Sequence, residues 1–147
     1  MTRPEATQAV LDAKTARGIT WAEGAERVGR PRPWVVAALM GQHPMSAEEA
    51  GAAAEALGLA EEVIAVLQEI PTRGALDTTV PVDPTMYRFY EVLQVYGPTL
   101  KELINEDFGD GIMSAITFNL DLQRVDDESG PRVVITMNGK FLPYQWD

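Results

Sequence analysis

The sequence predicts an α+β fold: an all-helical N-terminal bundle that resembles a helix-turn-helix domain, followed by a helix-plus-β-hairpin domain. Three patterns carry this prediction. Residues 5–69 contain start and stop signals for four or five short helices, apolar residues repeat at helical spacing between residues 86 and 96, and from residue 114 apolar and polar residues alternate. We place a helical bundle domain at 1–69, a linker at 70–84 and a second domain at 85–147.

Capping signals mark the ends of the N-terminal helices. Thr20 with Glu23, and Ser46 with Glu49, have the spacing of capping boxes, in which each side chain caps the other residue's backbone N–H. Gly58 suits a helix C-terminus, because glycine readily adopts the left-handed conformation found there. Short helices joined by tight turns are typical of the helix-turn-helix bundles of DNA-binding domains.

The linker, residues 70–84, is rich in Pro, Thr and Gly. Asp83 as N-cap and Pro84 at the first helical position predict the start of a helix directly after it. Gly97-Pro98 predicts the end of that helix, because proline lacks a backbone N–H and disfavours helix before it.

A further helix and two strands complete the chain. Thr99 with Glu102 forms a third capping box, for a helix that stops near residue 108. A first strand alternates in period two from residue 114, and RVVITMNGKFL is a second strand in which Asn138-Gly139 predicts a tight turn. A lone hairpin is marginally stable in water, so we expect this region to complete its sheet and core with a partner chain.

Charge restricts the classes of function. The formal charge is −10, with 7 Lys/Arg against 11 Asp/Glu in residues 1–80 and 5 against 11 in residues 81–147. Neither half has the basic balance of a nucleic-acid binder. A modest basic cluster, Arg27, Arg30 and Arg32, is the best remaining argument for DNA binding. An anionic substrate must be held by local positive charge, because the overall field repels it.

Composition excludes further classes. The chain has no cysteine, which excludes disulfides, thiolate catalysis and thiolate metal sites. No run approaches the roughly 18 consecutive apolar residues of a membrane span. The N-terminus, MTRPEATQAV, lacks the apolar segment of a signal peptide. We therefore expect a cytoplasmic protein without a membrane partner. No metal-ligand cluster is visible, so we expect no metal.

The helix that is predicted to begin at Pro84 carries one pair of opposite charges on an otherwise apolar and aromatic surface. The apolar residues have the spacing of a buried stripe: Met86, Phe89, Leu93 and Tyr96. Arg88 and Glu91 lie three residues apart on one side of the helix. They are either an ordinary ion pair or a site in which the guanidinium holds a small planar anion and the carboxylate orients it or moves protons.

Ser114 is a second candidate site residue. It follows the glycine-rich segment GDGIM and either simply begins a strand or, with nearby backbone N–H groups, holds an oxyanion. It has no histidine partner for a serine-hydrolase triad. The only histidine, His43, lies in the Pro-flanked segment GQHPMS, and we interpret it as a turn residue.

Three segments together, DPTMYRFYEVLQVYG, FGDGIMSAI and NGKFLP, resemble the C-terminal domain of the cyanate hydratase (cyanase) family. The resemblance is strong over about residues 70–143 and looser over the N-terminal helices, whose layout agrees. It implies a lyase that decomposes cyanate in a bicarbonate-dependent reaction to ammonia and carbon dioxide via carbamate, without metal or organic cofactor.

The resemblance also implies site residues and an assembly. Arg88, Glu91 and Ser114 fall on the family's catalytic residues, and Arg88, Ser114 and Ala115 are the implied substrate-binding residues. The implied fold is a helical bundle that resembles a helix-turn-helix domain without binding nucleic acid, followed by a helix-plus-hairpin dimerisation domain. The implied assembly is a homodecamer of five dimers, with active sites between subunits.

The residues alone leave two other functions possible. The chain could be a helix-turn-helix transcriptional regulator whose oligomerisation domain senses a small anion, which operator binding in a gel shift distinguishes from an enzyme. It could also be a non-catalytic oligomeric scaffold in which Arg88 is structural. Ammonia production from cyanate separates the enzyme from both.

Overall fold

The computed structural model describes residues 1–72, 74 and 79–145 and confirms the α+β class. Its helices are α1 (Arg3–Arg17), α2 (Trp21–Val28), α3 (Arg32–Leu39), α4 (Ala47–Leu57), α5 (Glu61–Gln68) and α6 (Pro84–Phe108). The strands β1 (Gly111–Val125) and β2 (Arg132–Pro143) form a two-stranded antiparallel sheet. Residues 73 and 75–78 of the predicted linker, and residues 146–147, lie outside the described residues.

Capping boxes fix the starts of three N-terminal helices. The predicted boxes Thr20–Glu23 and Ser46–Glu49 are both present, and a third box at Thr2–Glu5 was not predicted. In the capping box of α2, Thr20 donates its backbone N–H to the Glu23 carboxylate at 2.7 Å. This hydrogen bond stabilises the ionised form and lowers the pKa of Glu23. The boxes satisfy backbone donors that a helix N-terminus leaves free.

The apolar core of α1–α5 consists mainly of small and branched aliphatic side chains. The largest side chains that are fully buried there are Val10, Val35, Leu39 and Leu67. Together with Leu120–Ile135, the distal part of the hairpin, these helices form one compact unit. Apart from Met1 and Ile70, this helical part exposes no large hydrophobic side chain among the residues that the structure describes.

The predicted break at Gly97-Pro98 is wrong, because α6 continues through both residues to Phe108. Pro98 removes one backbone donor from the helix. A proline also clashes with the Cβ of the preceding residue when that residue is helical. Gly97 has no Cβ, so this part of the steric conflict is absent, and α6 continues through the proline. The capping box predicted at Thr99 and Glu102 is wrong for the same reason, since no helix begins there.

The predicted tight turn at Asn138-Gly139 is also wrong, because both residues lie within the continuous strand β2. Gly139 has no side chain, which allows β2 to approach β1 closely at this position. A Cβ on Gly139 would meet the backbone oxygen of Ser114, and it would lie 2.5 Å from Cγ of Met113. Glycine inside a strand often marks such a contact between neighbouring backbones.

The remainder of the described chain, residues 79–119 and 136–145, forms a second compact unit that includes α6. None of the residues of α6 is buried within the single chain. The predicted stripe is half exposed: Met86 42%, Phe89 50%, Leu93 54% and Tyr96 57%. No helix in the described part of the chain combines the length and hydropathy needed to cross a membrane.

Candidate active site

Arg88 and Glu91 form an ion pair on the first half of α6. Asp83 caps this helix by accepting the backbone N–H groups of Thr85 and Met86 at 2.9 and 3.0 Å, which fixes where the first turns begin. Nη1 of Arg88 lies 3.7 Å from Oε2 of Glu91, so the predicted i,i+3 contact exists. The guanidinium carbon also lies 5.9 Å from the centre of the Tyr87 ring.

This ion pair is open to solvent in the single chain. The Arg88 side chain is 67% exposed and the Glu91 side chain 52%. An exposed pair at such a distance contributes little to stability, roughly 0–1 kcal/mol. The guanidinium has no other ion-pair partner among the described residues, so most of its donors are available to a ligand.

Ser114 has the opposite environment. It lies near the start of β1, is only 3% exposed, and is the one polar or charged side chain that is buried among the described residues. Its Oγ accepts two hydrogen bonds, from the backbone N–H groups of Ile116 and Thr117, both at 3.0 Å. Two successive N–H groups that converge on one point resemble the concave nests that bind anions.

The single chain brings together only part of the predicted site. In the part of the chain that the structure describes, no hydrogen bond or ion pair joins Ser114 to Arg88 or Glu91. Ala115 is exposed beside the buried Ser114. The exposed ion pair of Arg88 and Glu91 therefore lies on α6. The buried Ser114 and the exposed Ala115 lie next to each other on β1.

An apolar groove in the same unit is not the candidate site. It has a volume of about 370 Å³ and lies between the end of α6 and the two strands. Its lining includes Ile104, Phe108, Met113, Met137 and Phe141, and no charged side chain. The rings of Phe108 and Phe141 stack at 5.3 Å. Such a lining suits apolar contact and offers no charge to hold an anion.

The basic cluster of the N-terminal unit is largely engaged in contacts within the chain. Arg30 forms an ion pair with Glu49 at 2.8 Å, and its guanidinium lies 4.3 Å from the centre of the Trp34 ring. Arg32 donates a hydrogen bond to the backbone oxygen of Leu122 at 3.1 Å. Two of the three arginines thus have intramolecular partners, which weakens the case for a DNA-binding surface.

His43 lies in the turn region between α3 and α4, as predicted. Its ring stacks on Trp34, with centroids 5.9 Å apart and planes at 5°.

Sequence reasoning missed the backbone partners of Ser114 and the role of Gly139. Only the three-dimensional backbone reveals that the N–H groups of Ile116 and Thr117 converge on Oγ. The signal for Gly139 was present but misread, because Asn-Gly is a strong indicator of a hairpin turn. The length of the flanking apolar run could have indicated an uninterrupted strand instead.

Comparison with known proteins identifies the family. Residues 78–146 match the family model for the cyanate lyase C-terminal domain, and residues 3–71 match the one for the N-terminal part of cyanate hydratase. The chain belongs to the cyanate hydratase family. The resemblance predicted from its residues is therefore confirmed. The chain is an enzyme of the lyase class.

Individual members of the cyanate hydratase family match nearly the whole chain. A cyanate hydratase of Mycolicibacterium vanbaalenii is 55% identical over 146 residues, which cover 99% of this chain and 95% of the relative. One from Cupriavidus necator is 53% identical over 145 residues, with 99% of both chains covered. The crystal structure of cyanase from T. urticae matches with a TM-score of 0.82 at 36% identity, covering 94% of this chain and 96% of that one.

The close approach of β2 to Ser114 gives a prediction for this cyanate hydratase family member. Gly139→Ala should lower the free energy of unfolding by about 1–3 kcal/mol, because the added methyl group overlaps the Ser114 backbone oxygen and Met113. Gly51→Ala is the matched control: Gly51 lies in α4 with nothing within 4 Å of its Cβ position, and alanine favours helix. Thermal unfolding measures both. A Gly139→Ala protein as stable as the wild type would contradict the close approach.

Proposed function

We propose that the chain catalyses the bicarbonate-dependent decomposition of cyanate to ammonia and carbon dioxide, with carbamate as an intermediate. The observation that carries the proposal is the match of both halves of the chain to the cyanate hydratase family, with Arg88, Glu91 and Ser114 present as the expected residue types. The relatives from Mycolicibacterium vanbaalenii and Cupriavidus necator are named for the same substrate.

The proposed chemistry begins with an attack on cyanate. A bicarbonate oxygen adds to the electrophilic carbon of cyanate and gives a carboxy-carbamate. That adduct loses carbon dioxide and leaves carbamate, which breaks down spontaneously to ammonia and a second carbon dioxide. Overall, one cyanate, one bicarbonate and two protons become one ammonia and two molecules of carbon dioxide. No group on the protein forms a covalent bond in this scheme.

Bringing two anions together is the main physical obstacle. Their Coulomb repulsion grows as water is excluded from the site. Holding reactants in place can contribute on the order of 7–11 kcal/mol in favourable cases, but only when this repulsion is neutralised. We propose that Arg88 neutralises the repulsion between the two anions, because its free N–H donors form a planar fork that fits carboxylate-like oxygens.

The remaining site residues have supporting roles. Glu91, at 3.7 Å from Arg88, either orients the guanidinium or relays a proton. The Ser114 hydroxyl hydrogen-bonds substrate, and Ala115 contacts it beside that serine. Arg88 alone supplies one positive charge for two anions, so we propose that a second chain contributes another copy.

The exposed apolar surface supports an oligomer. Nearly all the exposed large hydrophobic side chains of the described residues lie between residues 80 and 144. Large exposed apolar patches usually mark a contact with another protein. We propose that copies of this chain cover it, in a homodecamer of five dimers with active sites between subunits.

Ammonia release from cyanate, with and without bicarbonate, tests the proposed function. The purified protein should release ammonia only when both substrates are present, since bicarbonate is a reactant. The buffer must be purged of carbon dioxide, because the product regenerates bicarbonate. A protein-free sample corrects for spontaneous cyanate hydrolysis.

Full turnover in the purged buffer would contradict the bicarbonate step. No ammonia under either condition would refute the proposed function itself. A chelator should leave the rate unchanged. Loss of activity that one added metal restores would count against the scheme.

We also expect no sequence-specific DNA affinity from this chain. Duplex phosphates demand a basic face, whereas the protein is acidic and two of the three clustered arginines have partners within the chain. A gel shift and a footprint at near-physiological salt measure this. A reproducible footprint would favour the alternative of an anion-sensing transcriptional regulator.

A further inference from the structure

Two tyrosines beside Arg88 differ in exposure from the rest of the first half of α6. From Pro84 to Tyr96, only Tyr87 and Tyr90 are partly buried within the single chain, and the other residues are exposed. The centres of the two tyrosine rings lie 6.2 Å apart, with their planes at 39°. Aromatic rings at this separation and tilt attract each other. The Tyr87 ring is therefore held more firmly than its neighbours on the helix.

The Arg88 guanidinium contacts this ring on one side and a carboxylate on the other. Its central carbon lies over the Tyr87 ring, 5.9 Å from the ring centre. Its Nη1 lies 3.7 Å from Oε2 of Glu91. Tyr87 and Glu91 are four residues apart, so they are neighbours on one face of α6. Contact with both side chains places the guanidinium over that face.

The two contacts differ in what they leave for an anionic ligand. The Glu91 carboxylate accepts the N–H donors of the guanidinium, so it competes with an anion for them. An aromatic ring attracts a cation through its quadrupole and needs no oxygen acceptor for this. The Tyr87 ring can therefore orient the guanidinium and leave its N–H donors available.

Orientation matters here because an arginine side chain is long and flexible. The Arg88 side chain is 67% exposed in the single chain. A ligand that fixes such a side chain works against its rotamer entropy, which weakens binding. A ring that already restricts the guanidinium reduces this loss and keeps the planar fork in the geometry that the reaction needs.

We propose that Tyr87 is a positioning residue, whose ring orients the Arg88 guanidinium through a cation–π contact so that the N–H fork meets the anionic substrate. This inference rests on the proposed function for the role of Arg88 and for the identity of the anion. Tyr87 acts through Arg88 and its hydroxyl takes no part in the reaction.

Two substitutions separate the ring of Tyr87 from its hydroxyl. Tyr87→Phe keeps the ring, and its kcat/KM for cyanate should stay within about twofold of the wild type. Tyr87→Leu removes the ring and should lower kcat/KM about tenfold or more. A Phe variant as slow as the Leu variant would assign the effect to the hydroxyl. A Leu variant with the wild-type value would show that the ring is dispensable, and either result would overturn the proposal.

Fluorinated analogues of phenylalanine at position 87 separate the cation–π contact from packing. Fluorine withdraws electron density from the face of the ring and changes its size little, so it weakens the attraction for a cation. The kcat/KM should fall from phenylalanine to trifluorophenylalanine to pentafluorophenylalanine. The thermal unfolding temperature and the mass by light scattering should stay constant. Equal kcat/KM across the series would overturn the proposal, as would a loss of activity that appears only with loss of the oligomer.

Arg30 and Trp34 supply the matched control. The guanidinium carbon of Arg30 lies 4.3 Å from the centre of the Trp34 ring, closer than in the Arg88–Tyr87 pair. Neither residue belongs to the candidate site. A fluorinated tryptophan at position 34 should leave kcat/KM close to the wild-type value. An equal loss there would overturn the assignment of the effect to Arg88.

Binding of azide supplies a readout that does not depend on turnover. Azide is a linear triatomic monoanion, like cyanate. Calorimetry should show that Tyr87→Leu binds azide about tenfold more weakly than the wild type, and that Tyr87→Phe binds it about equally well. Wild-type affinity in the Leu variant, or no binding by the wild type, would overturn the inference. The proposed function fails by a different result, the absence of ammonia release from cyanate by the wild type.

Discussion

Arg88→Lys should leave the protein nearly inactive although it keeps the positive charge. Lysine presents a compact ammonium group and cannot offer the planar fork of donors that matches two carboxylate-like groups. Loss of one well-placed donor to a developing anion typically lowers the rate about 100- to 1,000-fold, and we expect a fall of at least this size. Steady-state ammonia release at saturating bicarbonate measures it.

Arg124→Lys is the matched control for this substitution. Arg124 lies at the end of β1, and its Nε is 3.0 Å from Asp126 in a pair that is more exposed than Arg88 and Glu91. The same chemical change there should leave activity close to that of the wild type. A folded, oligomeric Arg88→Lys protein with near-normal turnover would show that Arg88 is structural.

Mixing two inactive variants should restore activity if the site is shared between chains. Arg88→Lys and Ser114→Ala proteins are combined in equal amounts, dissociated reversibly and reassembled. If different chains supply Arg88 and Ser114, random association leaves about a quarter of the sites wholly wild type when each site takes one copy of each residue, and about an eighth when a further chain adds a second Arg88. We expect recovery up to these levels, measured as ammonia release.

Each variant taken alone through dissociation and reassembly is the control, and neither should recover. Native mass spectrometry confirms that mixed oligomers have formed. Verified mixed oligomers without activity would show that each site takes both residues from one chain.

Local signals predicted most of the fold. The capping boxes at Thr20 and Ser46 predicted helix starts correctly, because a cap depends on residues only three positions apart. The break at Gly97-Pro98 was wrong for an instructive reason. Each residue alone disfavours a helix, but Gly97 lacks the Cβ that would clash with the ring of Pro98, and α6 continues through both.

The sequence was enough to name the candidate site residues, but it did not predict their burial or their hydrogen-bond partners. The spacing of Arg88 and Glu91 predicted their ion pair, since neighbours on a helix are set by its period. The burial of Ser114 and the N–H groups that converge on it depend on the local backbone of β1 and on how closely β2 approaches. Those features are set by packing over longer distances, which spacing along the sequence does not encode.

On the proposed assembly, the exposed apolar surface of α6 and the hairpin makes protein concentration a thermodynamic variable. In a monomeric domain, burial of the core is intramolecular, so dilution leaves stability unchanged. On the proposed assembly, much of the apolar burial of this chain belongs to association, and its free energy follows mass action. Dilution then acts on this enzyme as a denaturant does. The amount of protein that a cell makes becomes part of what keeps each copy folded.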